Sequence, residues 1–223
     1  MTREAKREAV RAAPVYLVTE ESLSAGRTTE AIVDAALGAG VRVVQVREKG
    51  DHVRRALAIG EAVRRLTADA GALLVVNDRV DLALAIGADG VHVGQDDLPL
   101  SVVRAMVGPD TVIGLSITAP DQLGADDARA CDYLGVGSIY PTGSKGDAAL
   151  TGLALLGQAR ASSGLPIVAI GGITVANAAE VVAAGADSVA VISAISGAVD
   201  PGGAARQLAE AVAIARRVGG GRG

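Results

Sequence analysis

The chain alternates between two kinds of apolar pattern. Short runs rich in β-branched residues, typical of buried strands, are separated by longer alanine-rich stretches with the apolar spacing of helices. The predicted strands span residues 15–19, 42–47, 73–77, 90–93, 111–116, 133–136, 167–170 and 188–192. The predicted helices span residues 28–38, 53–70, 79–86, 99–107, 120–130, 151–162, 175–184 and 201–217. Each helix follows a strand, which is the order of a repeated βα unit.

These repeats predict a closed parallel barrel. The strands are apolar almost throughout, as expected for parallel strands buried on both faces, and Gly87 and Gly185 stand where a helix ends. Eight units without a linker favour an α/β protein, a single-domain (β/α)8 TIM barrel over residues 14–218. A doubly wound open sheet is the alternative, but no GxGxxG motif follows the first strand. Residues 1–13 are expected to form a short helix or a disordered extension, and residues 219–223 a disordered tail.

Composition and charge narrow the classes of function. The chain has 29 glycines and three tyrosines but no Phe or Trp, so it lacks the rings that stack on single-stranded nucleic acid. The formal net charge of -4 gives no basic footprint for nucleic acid. No apolar run reaches the roughly 18 residues of a membrane span, and the first residues lack an apolar signal core, so a cytoplasmic protein is expected. Cys131 is the lone cysteine, which excludes a disulfide framework.

Cationic side chains stand where the second strand ends. In a (β/α)8 barrel the chemistry lies at the carboxyl ends of the strands, which form one face. The alternation along this strand directs Gln45, Arg47 and Lys49 to one side, where two cations and an amide favour an anion-binding site. A solvated surface patch is the alternative interpretation.

Carboxylates follow the third and fourth strands. Asn77 and Asp78 come directly after a buried run, and Asp96 and Asp97 follow the next strand. Because Mg²⁺ prefers carboxylate oxygens together with substrate phosphates and water, Asp78 could share a Mg²⁺ ion with one of the later aspartates. Helix capping is the alternative role for Asp78 and for one of Asp96 and Asp97.

The histidines do not indicate a metal cluster. His52 and His92 are the only histidines, and with one cysteine they supply too few ligands for a zinc site. His92 alternates with the apolar residues Val91 and Val93 in the fourth strand. We therefore interpret it as a hydrogen-bonded residue of the barrel interior, with a catalytic role as the alternative.

The loop after the sixth strand is rich in glycine and hydroxyl groups. Thr142 and Ser144 can donate hydrogen bonds to a ligand, and Lys145 offers a mobile positive charge. A plain surface loop is the alternative interpretation.

Glycines and a hydroxyl group follow the last two strands. Gly171 and Gly172 let the backbone approach a ligand closely, because no Cβ atom intervenes. Ile192 and Ser193 follow the eighth strand, and backbone N–H groups after strands seven and eight bind phosphate in many barrels of this fold. The pattern indicates that the substrate is a phosphate ester.

Six sequence motifs, taken in order, resemble one known family. They are Val15-Tyr-Leu-Val-Thr, Val44-Gln-Val-Arg-Glu-Lys, Val76-Asn-Asp-Arg-Val-Asp-Leu-Ala, Gly87-Ala-Asp-Gly-Val-His-Val-Gly-Gln-Asp-Asp-Leu-Pro, Gly135-Val-Gly-Ser-Ile-Tyr-Pro-Thr and Val168-Ala-Ile-Gly-Gly-Ile. Each motif alone is weak, since Gly-Gly-Ile occurs in many phosphate-binding barrels. The ordered set resembles the thiamine phosphate synthase family and covers most of the chain.

The resemblance implies a transferase that condenses two small phosphorylated substrates. In that family a hydroxymethylpyrimidine diphosphate is joined to a thiazole phosphate, or its carboxylated form, to give thiamine phosphate and pyrophosphate with Mg²⁺ as cofactor. The family mechanism is dissociative, and a pyrimidine carbocation is captured by the neutral thiazole nitrogen. Because that nitrogen has no proton to lose, no general base is expected.

The resemblance also implies roles for individual residues. The pyrimidine diphosphate would be held by Gln45, Arg47, Lys49 and Asn77, with Ser116 and Lys145 on the diphosphate. Asp78 and Asp97 would bind Mg²⁺. The thiazole phosphate would contact Thr142 and Ser144, with Gly172, Ile192 and Ser193 on its phosphate side. The residues expected to stabilise the departing pyrophosphate, and so to be catalytic, are Arg47, Lys49, Ser116 and Lys145.

The chain departs from the family pattern at three positions. Thr118 stands where the family commonly has a histidine, which puts the diphosphate contact there in doubt. Ser144 replaces a frequent threonine but keeps the hydroxyl group, and Asp96 replaces a usual glutamate but keeps the charge.

Three other functions remain open from the sequence. A related thiazole tautomerase or a phosphosugar epimerase or isomerase would share the fold, and a non-catalytic sensor of thiamine phosphate would share the pocket. The tautomerase and the sensor have no use for a Mg²⁺ pair, while the epimerase needs paired catalytic carboxylates or metal-binding histidines. Exposed apolar helix faces also make a homodimer possible.

Overall fold

The strands close into a parallel barrel. The computed structural model describes residues 1–50, 52–125, 127, 130–142 and 151–220. Strand neighbours follow chain order, and the last strand pairs with the first. The strands are β1 (Val15–Val18), β2 (Val43–Val46), β3 (Leu73–Asn77), β4 (Gly90–Val93), β5 (Val112–Ile117), β6 (Tyr133–Val136), β7 (Ile167–Ile170) and β8 (Ser188–Val191). The predicted (β/α)8 barrel is confirmed, and the predicted open-sheet alternative is wrong.

Helices surround the barrel in the expected order. Within the described residues they are α1 (Arg3–Ala12), α2 (Thr29–Gly38), α3 (Val53–Asp69), α4 (Val80–Ala85), α5 (Leu100–Val107), α6 (Gly152–Ser162), α7 (Ala178–Ala183), α8 (Ser193–Ser196) and α9 (Pro201–Gly220). The helix predicted over residues 120–130 begins as a 3-10 helix at Pro120–Gly124, and residues 126, 128 and 129 lie outside the described residues. None of the described helices is both long and apolar enough to cross a membrane.

The carboxyl-terminal helix extends further than predicted. Gly219 and Gly220 were expected to belong to a disordered tail, but α9 continues through both, while residues 221–223 lie outside the described part of the chain. Arg216 explains the longer helix, because its guanidinium donates to the carbonyl oxygens of Ala12 and Ala13 at 2.8 and 3.0 Å. These bonds hold the last turns of α9 against the amino end of the barrel.

The amino-terminal segment closes the bottom of the barrel. A short helix and a disordered extension were the two predicted forms, and the structure has the helix, α1. It begins after Thr2, whose hydroxyl accepts a hydrogen bond from the Ala5 N–H at 3.3 Å. Val10 and Ala13 are buried and belong to the apolar cluster inside the barrel. The barrel interior is therefore covered at this end and open to solvent at the carboxyl end.

Three buried or half-buried aspartates lie in a ring at the amino end, directly before β4, β6 and β8. These are Asp89, Asp132 and Asp187, and we call them the aspartate ring. Each accepts a backbone N–H from the preceding strand, from Leu74, Ile113 and Ile167 at 3.0, 2.8 and 2.8 Å. Each also pairs with an arginine of the outer helices, Arg64, Arg104 and Arg160, and with a cation of α1, Lys6, Arg3 and Arg11. The ring thus joins strands, outer helices and α1 at one end.

Alternation along each strand divides the core into two layers. In β1, Val15 and Leu17 pack outward between strands and helices, while Tyr16 and Val18 point into the barrel. The inner layer is mostly small aliphatic side chains, joined by Tyr16 and Tyr133. Small residues therefore dominate the interior, and two of the three tyrosines of the chain lie there.

Candidate active site

A cavity of about 700 Å³ opens at the carboxyl ends of the strands. Seven of the residues singled out from the sequence line it together: Arg47, Lys49, Ser116, Thr142, Gly172, Ile192 and Ser193. They come from segments after β2, β6, β7 and β8 and from β5 itself, so only barrel closure brings them to one place. The remaining walls are largely aliphatic or glycine backbone, with Ile170, Ile173 and Ala190 among them.

Arg47 is a buried cation at the edge of this cavity. Its residue is only 9% exposed, its side chain pairs with Glu20, and its backbone N–H donates to the Thr19 hydroxyl at 3.0 Å. The Arg47 Nε atom is buried and has no hydrogen-bond partner among the described residues. A solvated surface patch therefore does not describe Arg47, and a buried donor without a partner suits an anion that arrives with the substrate.

Asp78 and Asp97 form a carboxylate pair beside the cavity mouth. Burial raises the pKa of the Asp78 carboxyl, and the charge and hydrogen bond of Asp97 raise it further, against an opposing effect of Lys49. The Lys49 Nζ lies 3.5 Å from the Asp78 Oδ2. Two carboxylates held close together repel each other, and a bound cation relieves that repulsion. The pair therefore fits a divalent metal.

Mg²⁺ fits this pair better than a metal that needs an all-protein cage. No group of three or more His, Cys, Asp and Glu side chains that could hold a metal occurs in the part of the chain that the structure describes. Mg²⁺ is commonly held by one or two carboxylates while substrate phosphates and water complete its shell. The donor set of Asp78 and Asp97 is therefore compatible with the expected Mg²⁺.

Neither aspartate caps a helix. The residue before α4 is Arg79, and no side chain makes a capping hydrogen bond there. The residue before α5 is Pro99, again without a side-chain cap, and the Asp97 Oδ2 instead accepts the Gly94 N–H at 2.7 Å. Asp78 also has a left-handed backbone with φ of 59°, which is costly for a residue other than glycine. The capping interpretation is wrong for both residues, and the strain agrees with a functional role.

The other predicted site residues lie apart from the main cavity or outside the residues that the structure describes. Gln45 is buried and lines a smaller cavity of about 30 Å³ beneath the mouth. Asn77 ends β3 next to Asp78 but lines neither cavity. Ser144 and Lys145 fall within residues 143–150, outside the described residues.

Several cavity residues were not assigned to a ligand from the sequence. Ser138 and Thr174 line the cavity, and so does Thr118, which had been noted only as a departure from the family pattern. Asp96 also lines it, although the resemblance assigns Mg²⁺ to Asp97. Thr118 hydrogen-bonds through its backbone N–H to the Gln122 Oε1 at 2.7 Å. Thr174 could have been predicted from its position two residues after Gly172, because a polar residue that follows a glycine pair at a strand end lies among the loops at the carboxyl face.

The glycine pair after β7 makes room for protein as well as for ligand. Gly171 and Gly172 have φ of 104° and 62°. A Cβ atom on Gly172 would lie 2.7 Å from the carbonyl oxygen of Pro141 and 2.8 Å from the Tyr140 Cβ. The missing side chain is therefore required by the loop after β6, which packs directly on this turn.

Replacing Gly172 with alanine is expected to weaken binding of the phosphate substrate more than it lowers stability. The left-handed φ and the contact with Pro141 force either this turn or the loop after β6 to move, at an expected cost of about 1–2 kcal/mol. KM for the phosphorylated substrate that the resemblance implies and Tm measure the two effects. Gly164→Ala is the matched control, because a Cβ there meets nothing within 4 Å. Equal effects of the two substitutions would contradict the prediction.

His92 lies inside the barrel, as the sequence predicted. Its Nδ1 is 3.1 Å from the Tyr133 hydroxyl, and its Nε2 is 2.9 Å from the Ser116 hydroxyl. The Tyr133 hydroxyl is 2.9 Å from that of Tyr16, which accepts a hydrogen bond from the Gln45 Nε2 at 2.9 Å. A continuous polar chain therefore runs from Gln45 through the barrel interior to Ser116 at the cavity.

A polar cavity at the carboxyl face of a parallel barrel, with a glycine turn after β7, is typical of (β/α)8 enzymes, which frequently bind phosphate after strands seven and eight. A family model described as thiamine monophosphate synthase matches residues 15–195. The chain belongs to the thiamine monophosphate synthase family, which confirms the resemblance seen in the sequence.

Individual relatives agree with the family. The chain is 49% identical over 203 residues to the thiamine-phosphate synthase of Moorella thermoacetica, covering 91% of this chain and 97% of that one. It is 51% identical over 201 residues to the thiamine-phosphate synthase of Natronomonas pharaonis, covering 89% and 94%. A solved thiamine phosphate pyrophosphorylase from Pyrococcus furiosus matches with a TM-score of 0.85 at 37% identity, covering 93% and 98%. The chain is accordingly an enzyme, a transferase with thiamine-phosphate synthase function.

Proposed function

We propose that this enzyme condenses 4-amino-2-methyl-5-hydroxymethylpyrimidine diphosphate with 4-methyl-5-(2-hydroxyethyl)thiazole phosphate, or with its carboxylated form with loss of CO2, to give thiamine phosphate and pyrophosphate. The observation that carries the proposal is a single cavity with two kinds of anion-binding group in its lining. Arg47, Lys49 and Ser116 contribute cationic and hydroxyl side chains, and the Gly172 turn and Ser193 contribute backbone and a hydroxyl group. One cavity therefore offers groups for the anionic parts of two substrates, together with aliphatic wall surface.

The cationic and hydroxyl side chains suit a leaving diphosphate. Arg47 brings a buried guanidinium whose Nε has no partner among the described residues, Lys49 brings a second charge, and Ser116 brings a hydroxyl group. Preorganised donors of this kind stabilise the charge that develops on a leaving pyrophosphate. Glu20 holds the Arg47 side chain in place through an ion pair, so that the cation is oriented before the substrate arrives.

Asp78 and Asp97 would hold Mg²⁺ beside these cationic side chains. When bound, the ion supplies positive charge to the leaving diphosphate and holds its oxygens in position. The distance of 3.5 Å between the Lys49 Nζ and the Asp78 Oδ2 supports a role for that cation beside the proposed metal site. By its resemblance to the family motif, Lys145 is assigned to the diphosphate as well.

The residues that the structure describes suit a dissociative reaction. Departure of pyrophosphate leaves a carbocation on the pyrimidine, and the neutral thiazole nitrogen attacks it without losing a proton. No general base is needed for this step, and positioning of the two rings supplies much of the rate. Ile170, Ile173 and Ile192 surround the cavity with apolar surface, which keeps water from the carbocation.

The proposal is tested by following pyrophosphate release from the purified enzyme. Release is expected only when the pyrimidine diphosphate, the thiazole phosphate and Mg²⁺ are all present, with thiamine phosphate formed in equal amount. Omission of each component in turn, and addition of a chelator, provide the controls. Release at the same rate without the thiazole phosphate would mean hydrolysis in place of condensation, and would overturn the assignment.

A further inference from the structure

The polar chain inside the barrel contains donors and acceptors whose order can be deduced. The Gln45 Nε2 can only donate, so the Tyr16 hydroxyl accepts its hydrogen bond. The hydrogen of Tyr16 is then directed at the Tyr133 oxygen, 2.9 Å away. Each hydroxyl group in the chain accepts from one neighbour and donates to the next, so one end determines the direction of the whole chain.

The same order selects a tautomer of His92. The Tyr133 hydroxyl has accepted from Tyr16, so its own hydrogen goes to the His92 Nδ1 at 3.1 Å. In the neutral ring, an accepting Nδ1 requires the proton to be on Nε2. That N–H donates to the Ser116 Oγ at 2.9 Å. Because Ser116 accepts from His92, its own hydrogen remains available for a group in the cavity.

We propose that Tyr133 and Tyr16 are positioning residues that act through His92 to direct the Ser116 hydroxyl hydrogen at the substrate diphosphate. The inference rests on the proposed function, in which Ser116 contacts that diphosphate. An oxygen of the leaving group accepts only, so it needs a donor that already points at it. Without the chain, Ser116 could equally donate its hydrogen to His92 and present lone pairs to the anion.

Packing holds the polar chain between Gln45 and Ser116 rigidly in place. Tyr16 and Tyr133 are 1% and 0% exposed. A Cβ atom on Gly135 would lie 2.7 Å from the His92 Cε1, and one on Gly114 would collide with both His92 and Tyr133, so two strand glycines provide the space for the rings. The backbone of Ser116 is fixed too, because its carbonyl oxygen accepts from the Gln95 Nε2 at 2.7 Å. Burial also raises the pKa of both tyrosines, which keeps them protonated and able to donate.

Tyr133→Phe is the central test, because it removes one hydroxyl group from the middle of the chain. The variant is expected to lower kcat by about 10- to 100-fold, the worth of one hydrogen bond to a charged group, with KM changed much less. Tyr140→Phe is the matched control. The Tyr140 hydroxyl donates to Glu180, which is not part of the polar chain inside the barrel, so we expect this variant to leave kcat unchanged. Tyr16→Phe breaks the chain one link earlier and serves as a second variant if Tyr133→Phe does not fold.

A second readout follows the tautomer directly. Nitrogen-15 NMR of the imidazole groups is expected to show His92 protonated at Nε2 in the unsubstituted enzyme, with a shift toward the Nδ1 form in Tyr133→Phe. Only His52 gives a competing signal, and a His52→Gln background removes it. This measurement needs no substrate, so it separates failure of the inference from failure of the proposed reaction.

A double-mutant cycle distinguishes positioning from a structural role. If Tyr133 acts only through Ser116, then Tyr133→Phe should cost nothing further in a Ser116→Ala background. Three results would overturn the inference: an Nδ1-protonated His92 in the unsubstituted enzyme, an unchanged kcat in a folded Tyr133→Phe variant, or a full additional loss in the double variant.

Discussion

Replacing Asp132 with alanine is expected to lower the free energy of unfolding by about 3–5 kcal/mol, out of a total of about 5–15 kcal/mol for a typical domain. Asp132 is 1% exposed and has the most buried carboxylate of the aspartate ring. It accepts the Ile113 N–H at 2.8 Å and pairs with Arg104 and Arg3, each at 2.7 Å. Alanine leaves a buried N–H and a guanidinium without their acceptor, and an unpaired buried donor costs more than the hydrogen bond contributed.

The other two aspartates of the ring provide an internal comparison. Asp89 and Asp187 have side chains that are 21% and 20% exposed, so water can replace part of what they accept. Their alanine variants are expected to lose about 1–3 kcal/mol. The loss of stability in Asp132→Asn should lie between that of Asp132→Ala and those of the Asp89 and Asp187 alanine variants, because the asparagine amide oxygen can still accept the Ile113 N–H.

Urea unfolding followed by far-ultraviolet circular dichroism measures these differences. kcat of the folded enzyme should not change in any of the three alanine variants, because the ring lies at the amino end and the cavity at the carboxyl end of the barrel. A loss for Asp132→Ala no larger than that for Asp89→Ala would show that burial does not set the cost.

Replacing Asp78 with asparagine is expected to lower pyrophosphate release by about 100-fold or more while making the fold more stable by about 0.5–1 kcal/mol. The loss of activity follows from the loss of a carboxylate from the proposed Mg²⁺ pair. The gain in stability follows from burial and from repulsion by Asp97, since both disfavour the charged carboxylate and not a neutral amide. Asparagine also tolerates the left-handed backbone of this position. Loss of the Lys49 contact subtracts little, because Lys49 is exposed.

The pH dependence of this effect has a definite sign. Burial and Asp97 raise the pKa of Asp78 above its ordinary value, so the native state binds a proton more tightly than the unfolded state. The stabilising effect of that proton is fully present below the unfolded pKa and is lost as the pH rises through the folded pKa. The variant should therefore gain stability over the original enzyme as the pH rises from the acidic range to neutrality.

Asp81→Asn is the matched control for this prediction. Asp81 is an exposed carboxylate close in sequence to Asp78 but paired with Arg79 at 2.6 Å, away from the cavity. Its variant is expected to keep full activity and to gain no stability. Thermal unfolding at several pH values, with activity measured on the same samples, checks both results; a Tm of Asp78→Asn below that of the original enzyme would contradict the argument from burial and repulsion.

Most of the fold could be predicted because local signals coincide with it. The strand bounds agree with the predicted ones within one residue at each end, since each strand is a short β-branched run between turn signals. The misses have physical causes. Helix α8 is only four residues long, which is too short to show a helical period. The disordered end predicted from Gly219 did not account for Arg216, which hydrogen-bonds to the carbonyl oxygen of Ala12, far away in the sequence.

The candidate site could be predicted only in part. Arg47 and Lys49 follow from position at a strand end, because the carboxyl ends of parallel strands share one face. The metal and capping interpretations of Asp78 were both open from the sequence, since both use an aspartate before a helix. Backbone geometry separates them: the left-handed turn leaves Asp78 without a capping bond and next to Asp97.

By itself, the sequence determined the barrel, the face that carries the chemistry and the family, because periodicity, strand ends and ordered motifs are local properties of the chain. Only the tertiary structure decided which distant groups meet. Tyr16 and Tyr133 are 117 residues apart and hydrogen-bond only because β1 and β6 both point side chains into one closed barrel. The aspartate ring depends on closure in the same way. Contacts across the barrel leave no periodic trace in the sequence, so their partners become visible only in three dimensions.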